Sequence, residues 1–318
     1  MEHDLRSELG AIDLTQQFAD LVKFRVPTGI IAFDKIFNGG IPAGKLTELY
    51  GDFNSGKSRI ACHVLASTQK LGGDTLLIDT ERSLDTGLVT LTGLDVSKLI
   101  YPNPDGIVTL EDVFTLMEKA VKRLREENPD GLLTIVWDSV ATAPGIAELE
   151  SAIGQPVGAL RRAKLISDGL KRVMADVYRS KICLIFINQI RDRIDVQYGD
   201  KTETVGGKAL KYTAALRVHV KLVGKIKDEV TKEQKGLKGQ VVVERSKVGR
   251  PFGMVNFDMM ADTPIDTYTG LLDYMVRHGE VEQSGAWYSF KGQSKKFHSH
   301  NFEEEYEKFI GGTLDNKD

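Results

Sequence analysis

The chain has 318 residues, 41% of them hydrophobic and 27% charged, with a formal net charge of -3 and a pI near 6.1. That length suits one large α/β domain with small appendages, and the composition is ordinary for a globular protein. The charge balance excludes a uniformly basic nucleic-acid binder but not a locally basic groove, because screening makes local charge outweigh the total. Cys62 and Cys183 fall in an expected helix and strand, so buried free thiols are expected rather than a metal site or a disulfide framework. No apolar run reaches membrane-spanning length and the first residues lack a signal-peptide core, which points to a cytoplasmic protein.

Residues 1–26 read as an amphipathic helix and a short extended piece. Leu5, Leu9, Ile12, Phe18, Leu21 and Val22 mark the apolar face, and Val22, Phe24 and Val26 alternate. Pro27 ends this arm. From there to about Asn188, strand and helix patterns alternate. Expected strands cover Lys45–Tyr50, Thr75–Asp79, Leu132–Asp138 and Ile182–Asn188. Two amphipathic helices lie between them, one carrying Leu110, Val113, Phe114, Met117, Val121 and Leu124, the other Leu160, Ile166, Leu170, Val173 and Val177. The order predicts an α/β fold, a mostly parallel sheet covered by helices. After Thr213 come short strands at Leu216–Val223, Gln240–Ser246 and Met254–Met260, with Lys225–Gly239 expected as a solvated hairpin tip.

Gly51-Asp52-Phe53-Asn54-Ser55-Gly56-Lys57-Ser58 spells G-x-x-x-x-G-K-S between an expected strand and an expected helix. This is the setting of a P-loop, in which glycines let backbone N–H groups and a helix N-terminus face a phosphate chain. Lys57 would reach the β- and γ-phosphates and Ser58 would hold Mg²⁺. Three strand ends follow in order. Asp79-Thr80-Glu81 offers a carboxylate for an attacking water, Leu133–Asp138 has the Walker B form with Asp138 toward the metal, and Asn188 and Gln189 carry amides toward a γ-phosphate.

The motifs together resemble the RecA-type DNA strand-exchange recombinases, with bacterial RecA proteins and phage recombinases of the UvsX kind nearest. The resemblance runs from Pro27-Thr28-Gly29 to Gly285-Ala286-Trp287-Tyr288. It rests on GDFNSGKS (Gly51–Ser58), LLIDTERSLD (Leu76–Asp85), IVWDSVA (Ile135–Ala141) and FINQIR (Phe186–Arg191). It continues through TVGGKALKY (Thr204–Tyr212), ERSKVGRPF (Glu244–Phe252) and GAWYSFKG (Gly285–Gly292). Generic P-loop enzymes share the first and third of these, whereas FINQIR, GGKALK and GAWYS are far more specific.

The resemblance implies a RecA-like P-loop core over residues 27–292 that uses ATP and Mg²⁺. By it Glu81 activates water, Gln189 couples the γ-phosphate to DNA binding, Arg59 joins the nucleotide-binding residues and Asp85 lies near the adenine. Leu88 departs from the family, standing where bacterial RecA has an aromatic, so base stacking is expected to be weaker. Arg245 and Lys247 match a basic pair that reaches a neighbouring subunit's γ-phosphate.

Two segments resemble the family's mobile DNA-binding loops. Residues 151–158 include Val157 and lead into Arg161, Arg162 and Lys164. Residues 191–207 carry Arg191, Arg193, Tyr198, Lys201, Gly206 and Gly207, with Lys208 and Lys211 beyond. Such basic groups neutralise phosphates whatever the sequence, while Val157 or Tyr198 would separate or stack on bases. A solvated helix face is the plain alternative for Arg161, Arg162 and Lys164.

The resemblance further implies single-stranded DNA and homologous duplex DNA as partners, a homo-oligomeric helical filament docked through the 1–26 arm, and single-strand-binding and mediator proteins as candidates. Only 26 residues follow Gly292, so 293–318 is expected as a tail without a full C-terminal lobe. A hexameric helicase of the same core fold and a non-catalytic mediator paralogue are the competing readings. The 285–292 segment and the arm weigh against the first, and Glu81, Gln189 and the basic loops against the second.

Overall fold

The structure, a computed structural model, describes residues 24–152, 159–178, 180–192 and 202–314. A short ribbon comes first, with β1 (Arg25–Val26) antiparallel to β2 (Ile41–Pro42) around α1 (Ile31–Ile36). The main sheet is then laid down by β3 (Lys45–Gly51), β4 (Asp74–Asp79), β5 (Leu99–Ile100), β6 (Leu133–Asp138), β7 (Ile182–Asp192), β8 (Thr202–Thr204), β9 (Leu216–Lys227), β10 (Gln234–Ser246) and β11 (Met254–Met260). Its spatial order is β11-β10-β9-β3-β7-β6-β4-β5, with β8 antiparallel to β7. From β9 to β5 every pairing is parallel, and β10 and β11 add an antiparallel edge. The α/β fold expected from the alternating pattern is the one present.

Strand parity builds two cores, because successive residues of a strand face opposite sides. On β7, Cys183, Ile185 and Ile187 join one core while Ile182, Leu184 and Phe186 join the other. The first core is closed by α2 (Lys57–Lys70) through Ile60, Val64 and Leu65, with the small α3 (Thr86–Leu91) beside it. The second is closed by α4 (Leu110–Glu127) and, after the short α5 (Ile146–Glu150), by α6 (Ala159–Val177). A capping box starts α4: the Thr109 hydroxyl accepts from Asp112 N–H and the Asp112 carboxylate accepts from Thr109 N–H.

The second half of the chain departs from expectation in two places. The solvated tip expected over Lys225–Gly239 shrinks to about residues 228–233, because β9 and β10 run on as a paired ribbon. Exposure on both faces of that outer ribbon removes the alternation that marks a strand. The stretch after residue 260 is also more structured than expected. Beyond α7 (Gly207–Thr213) and the sheet edge, α8 (Leu271–Arg277) packs on the first core. A three-stranded sheet of β12 (Val281–Ser284), β13 (Trp287–Phe290) and β14 (Phe297–His298) follows, then α9 (Phe302–Leu314). The expected boundary after Gly292 therefore falls inside a sheet, and Phe290, Phe297, Phe302 and Tyr306 are buried together. The arm over residues 1–23 lies outside the described residues. Among them, no helix is long and apolar enough to cross a membrane.

Candidate active site

Four parallel strands end at one edge of the sheet. Gly51 of β3 pairs with Gln189 of β7, and Asp79 of β4 pairs with Asp138 of β6. Ligands of open parallel sheets bind at that edge, where the connections diverge. A cleft of about 430 Å³ opens there. Phe53 to Arg59, Asp79, Glu81, Asp85, Asp138 and Gln189 line it, with Leu77, Val89, Val136, Leu237 and Met259 as its apolar wall.

The loop between β3 and α2 is shaped by two glycines. A Cβ on Gly51 would sit 1.9 Å from the Val220 carbonyl oxygen, so only glycine allows β9 this close. Gly56 is left-handed at φ 96° and caps α2, and a Cβ there would press the Met259 sulfur at 2.9 Å. Lys57 is buried and donates to the carbonyl oxygens of Gly51 (3.1 Å) and Asp52. Burial lowers its pKa, and Asp138, Glu81 and Asp52 oppose that shift. An ammonium held this way at a helix N-terminus is a ready anion site. Phe53 projects from the loop largely into solvent.

The two residues expected to hold a metal meet directly: the Ser58 hydroxyl donates to Asp138 Oδ2 at 2.6 Å. Burial pushes Asp138 up to about 7, the Ser58 bond lowers it, and Glu81 and Asp79 raise it further. A buried carboxylate with acidic neighbours is a place that a divalent cation would make favourable, and one hydroxyl plus one carboxylate is the protein share typical of Mg²⁺ on phosphates. The donor set fits the metal.

Glu81 sits across the cleft. Its Oε1 accepts from Gln189 Nε2 at 2.7 Å and from the Ser139 hydroxyl at 2.6 Å. These two donors fix the orientation of the carboxylate, which a group taking a proton would need. Ser139 was not among the expected site residues, although it directly follows the Walker B aspartate. Asp79 does not compete for the role. Its carboxylate accepts from the N–H groups of Arg82, Ser83 and Leu84 and from the Tyr101 hydroxyl, and so builds the loop that carries Glu81 and Asp85.

One expectation is corrected here. Asn188 does not face the cleft: its side chain is fully buried and donates to Glu48 Oε1 (2.9 Å) and to the Val205 carbonyl (2.7 Å). Neighbouring strand residues point to opposite faces, so Gln189 and Asn188 cannot both face the nucleotide. Arg59 lines the cleft, but its guanidinium is engaged by the carbonyls of Met260 and Thr263, which ties α2 to the end of β11. Asp85 lines the cleft and accepts from Gly87 N–H.

Arg245 and Lys247 lie elsewhere. Arg245 pairs with Arg217, which pairs with Glu48, three residues before Gly51. Lys247 N–H donates to Ala215, whose N–H donates to Leu46. At about 3.3 Å per residue the pair therefore leaves the sheet some 10–17 Å back from the phosphate loop along the strands. Arg245 Nη1 donates to the Lys211 carbonyl at 3.0 Å, and Lys247 Nζ donates to that of Tyr212, so both rest on the C-terminal end of α7.

The sequence matches the family model of the RecA N-terminal domain over residues 10–266. It is 36% identical over 280 residues to Protein RecA of Heliobacterium modesticaldum, covering 88% of this chain and 78% of that protein. It is also 36% identical to Protein RecA of Syntrophobacter fumaroxidans, covering 84% of this chain and 75% of that protein. The chain belongs to the RecA family. It is a RecA-type recombinase, and likeness over most of its length to proteins named RecA does not favour the helicase or the mediator reading.

Within that family frame, the two segments expected to contact nucleic acid are described in part. Val157, Arg193, Tyr198 and Lys201 lie outside the described residues. Arg191 is exposed on the stem where β7 pairs with β8, so the second segment starts from a hairpin two residues further on than expected. Gly206 and Gly207 are both left-handed and turn the chain into α7, where Lys208 is exposed. Arg161 and Lys164 are exposed on α6. Arg162 is the exception. It turns inward to the Val140 carbonyl (2.7 Å) and Glu148 (3.1 Å), bracing the turn after Asp138 rather than offering charge to a polyanion.

Proposed function

We propose that this chain is a DNA-dependent ATPase that polymerises on single-stranded DNA and pairs it with homologous duplex. The observation that carries the proposal is the Gln189–Glu81 hydrogen bond. It ties the candidate base to β7, which runs without a break past Ile190 to Arg191 and Asp192, the start of the second expected DNA-binding segment. Hydrolysis and DNA engagement thus share one strand.

In this reading Gly51–Ser58 cradles the phosphates and Lys57 pairs with their charge. Mg²⁺, held by Ser58 and Asp138, supplies neutralisation of charge on the phosphate oxygens. Glu81 takes the proton as water attacks the γ-phosphorus, and ADP leaves as the bond to the γ-phosphoryl breaks. Arg245 and Lys247 are too far back along the sheet to serve their own P-loop, which supports a role at a neighbour's phosphates. ATP then lies between protomers in a head-to-tail filament, with the arm that precedes β1 docking each protomer on the next. Arg161, Lys164, Arg191 and Lys208 supply phosphate contacts, and the expected cellular place is the cytoplasm. Electron microscopy with single-stranded DNA and a non-hydrolysable ATP analogue tests the assembly. Helical filaments are expected, and closed rings or isolated protomers would refute it.

A further inference from the structure

Behind the cleft lies a buried polar chain that the hydrolytic scheme does not use. β3 carries Glu48 and Tyr50, and β9 sets Arg217 and His219 opposite them. Glu48 and Arg217 are almost completely buried, and Arg217 Nε donates to Glu48 Oε2 at 2.6 Å. The guanidinium also covers the Tyr50 ring at 4.5 Å, and Tyr50 stacks on His219 at 4.8 Å.

Arg217 and His219 converge on Glu244. Its Oε2 is 3.6 Å from Arg217 Nη1 and its Oε1 is 3.5 Å from His219 Nδ1, and its charge helps to raise the pKa of Tyr50, which burial raises most. Glu244 is the extra residue of a β-bulge: Val243 pairs with Val218 and Arg245 with Arg217, leaving Glu244 unopposed. Bulges twist a strand and re-aim the side chains that follow. Here the residues that follow are Arg245 and Lys247.

At its other end the chain reaches the cleft. Glu48 accepts from Asn188, the Asn188 oxygen accepts from Gln189 N–H at 2.9 Å, and the Gln189 side chain donates to Glu81. Hydrogen bonds and ion pairs therefore run unbroken from Glu81 to the bulge. A buried ion pair adds little stability over an apolar pair of equal volume. Glu48 and Arg217 do what apolar residues cannot, which is to fix Glu244 at one end and Asn188 at the other.

We propose that Glu244 is a positioning residue. It sets the bulge that aims Arg245 and Lys247, and through Arg217, Glu48 and Asn188 it makes that aim depend on the Gln189–Glu81 end of its own protomer's site. The inference rests on the reading that Arg245 and Lys247 act on a neighbour. A nucleotide in one site then prepares the basic pair for the next site, and hydrolysis becomes cooperative along the filament.

The test is steady-state ATPase with saturating single-stranded DNA on parent, Glu244→Gln, Asn188→Ser and the double variant. Glu244→Gln should lower kcat by about two- to thirtyfold, the range for residues that carry coupling without touching ligand. Its KM for ATP should stay at the parental value and its Hill coefficient should fall toward 1. Glu244→Asp, which keeps the charge, should recover part of the Hill coefficient. The double variant should be no slower than the slower single variant, because both cuts break one chain. An unchanged Hill coefficient in Glu244→Gln, even with a lowered Tm, would reduce Glu244 to a structural residue and overturn the inference. Multiplying effects in the double variant would overturn it as well. Mixing Lys57→Ala with Arg245→Ala protein separates the two levels. Recovered activity upholds the trans reading, so that the Glu244 variants alone decide the inference. No recovery in co-assembled filaments removes the trans reading and the inference together.

Discussion

Glu81→Gln isolates the chemical step. The carboxylate Oε1 accepts from both Gln189 and Ser139, and a glutamine carbonyl oxygen could keep those two bonds while losing the charge and the basicity. Loss of a positioned general base costs about 10²–10⁴ in rate, or about 3–5 kcal/mol in the barrier. Nucleotide affinity should stay near the parental value, because the phosphate loop and the buried Lys57 are untouched. Removing the Glu81 charge should also move the Asp138 pKa down from about 7, since Glu81 helps raise it. The assay pairs DNA-stimulated phosphate release with titration of a fluorescent nucleotide. Lys57→Ala should give the opposite signature, a loss of binding. Parental turnover in Glu81→Gln, or lost binding with it, would refute the assignment of the base.

Arg191→Ala with Lys208→Ala, both exposed, should weaken single-stranded DNA binding and shrink the salt slope by about one to two, near one per phosphate contact; an unchanged slope would move the DNA path away from this stem. Protons and metal compete for Asp138, so Mg²⁺-dependent nucleotide binding should weaken as pH falls below about 7, and Asp138→Asn should weaken it at every pH tested. His63 is held near 4 by burial, with Arg59 and Lys70 adding to the shift, and its Nε2 accepts from Ile265 N–H. Its folded pKa lies below the unfolded value, so the unfolded chain binds the extra proton and stability falls as pH drops from about 6.5 to 4, by about 3 kcal/mol when complete. Asp138, with a raised folded pKa, acts in the opposite sense over much of that window. Urea midpoints of His63→Gln should therefore be compared with the parent at each pH, and parallel pH profiles would count against the His63 account.

Much of the fold was legible because parallel strands buried on both faces read as apolar runs, as β4, β6 and β7 do, while β3 is as buried but carries Thr47 and Glu48 among its apolar residues. The cleft was legible because its groups sit at the ends of those runs. Orientation was harder to read. Asn188 and Gln189 are adjacent amides, and only strand parity separates the buried one from the one in the cleft. Arg162 looked like its exposed neighbour Arg161 until Glu148, on another helix, drew it inward. The outer ribbon of β9 and β10 was hidden because it has no buried face to impose alternation. The buried pair Glu48 and Arg217 and the more exposed Glu244 come from three strands brought together by the topology, and no local spacing announces them.

The central claim is homology-dependent pairing driven by ATP, and a strand-pairing assay reads it directly. Purified protein, ATP and Mg²⁺ are incubated with a labelled single strand and either homologous or unrelated duplex. The account predicts joint molecules with the homologous duplex only, lost on omission of ATP and in Lys57→Ala. Strand separation that ignores homology, or no joint molecules while single-stranded DNA is bound and ATP is hydrolysed, would contradict it.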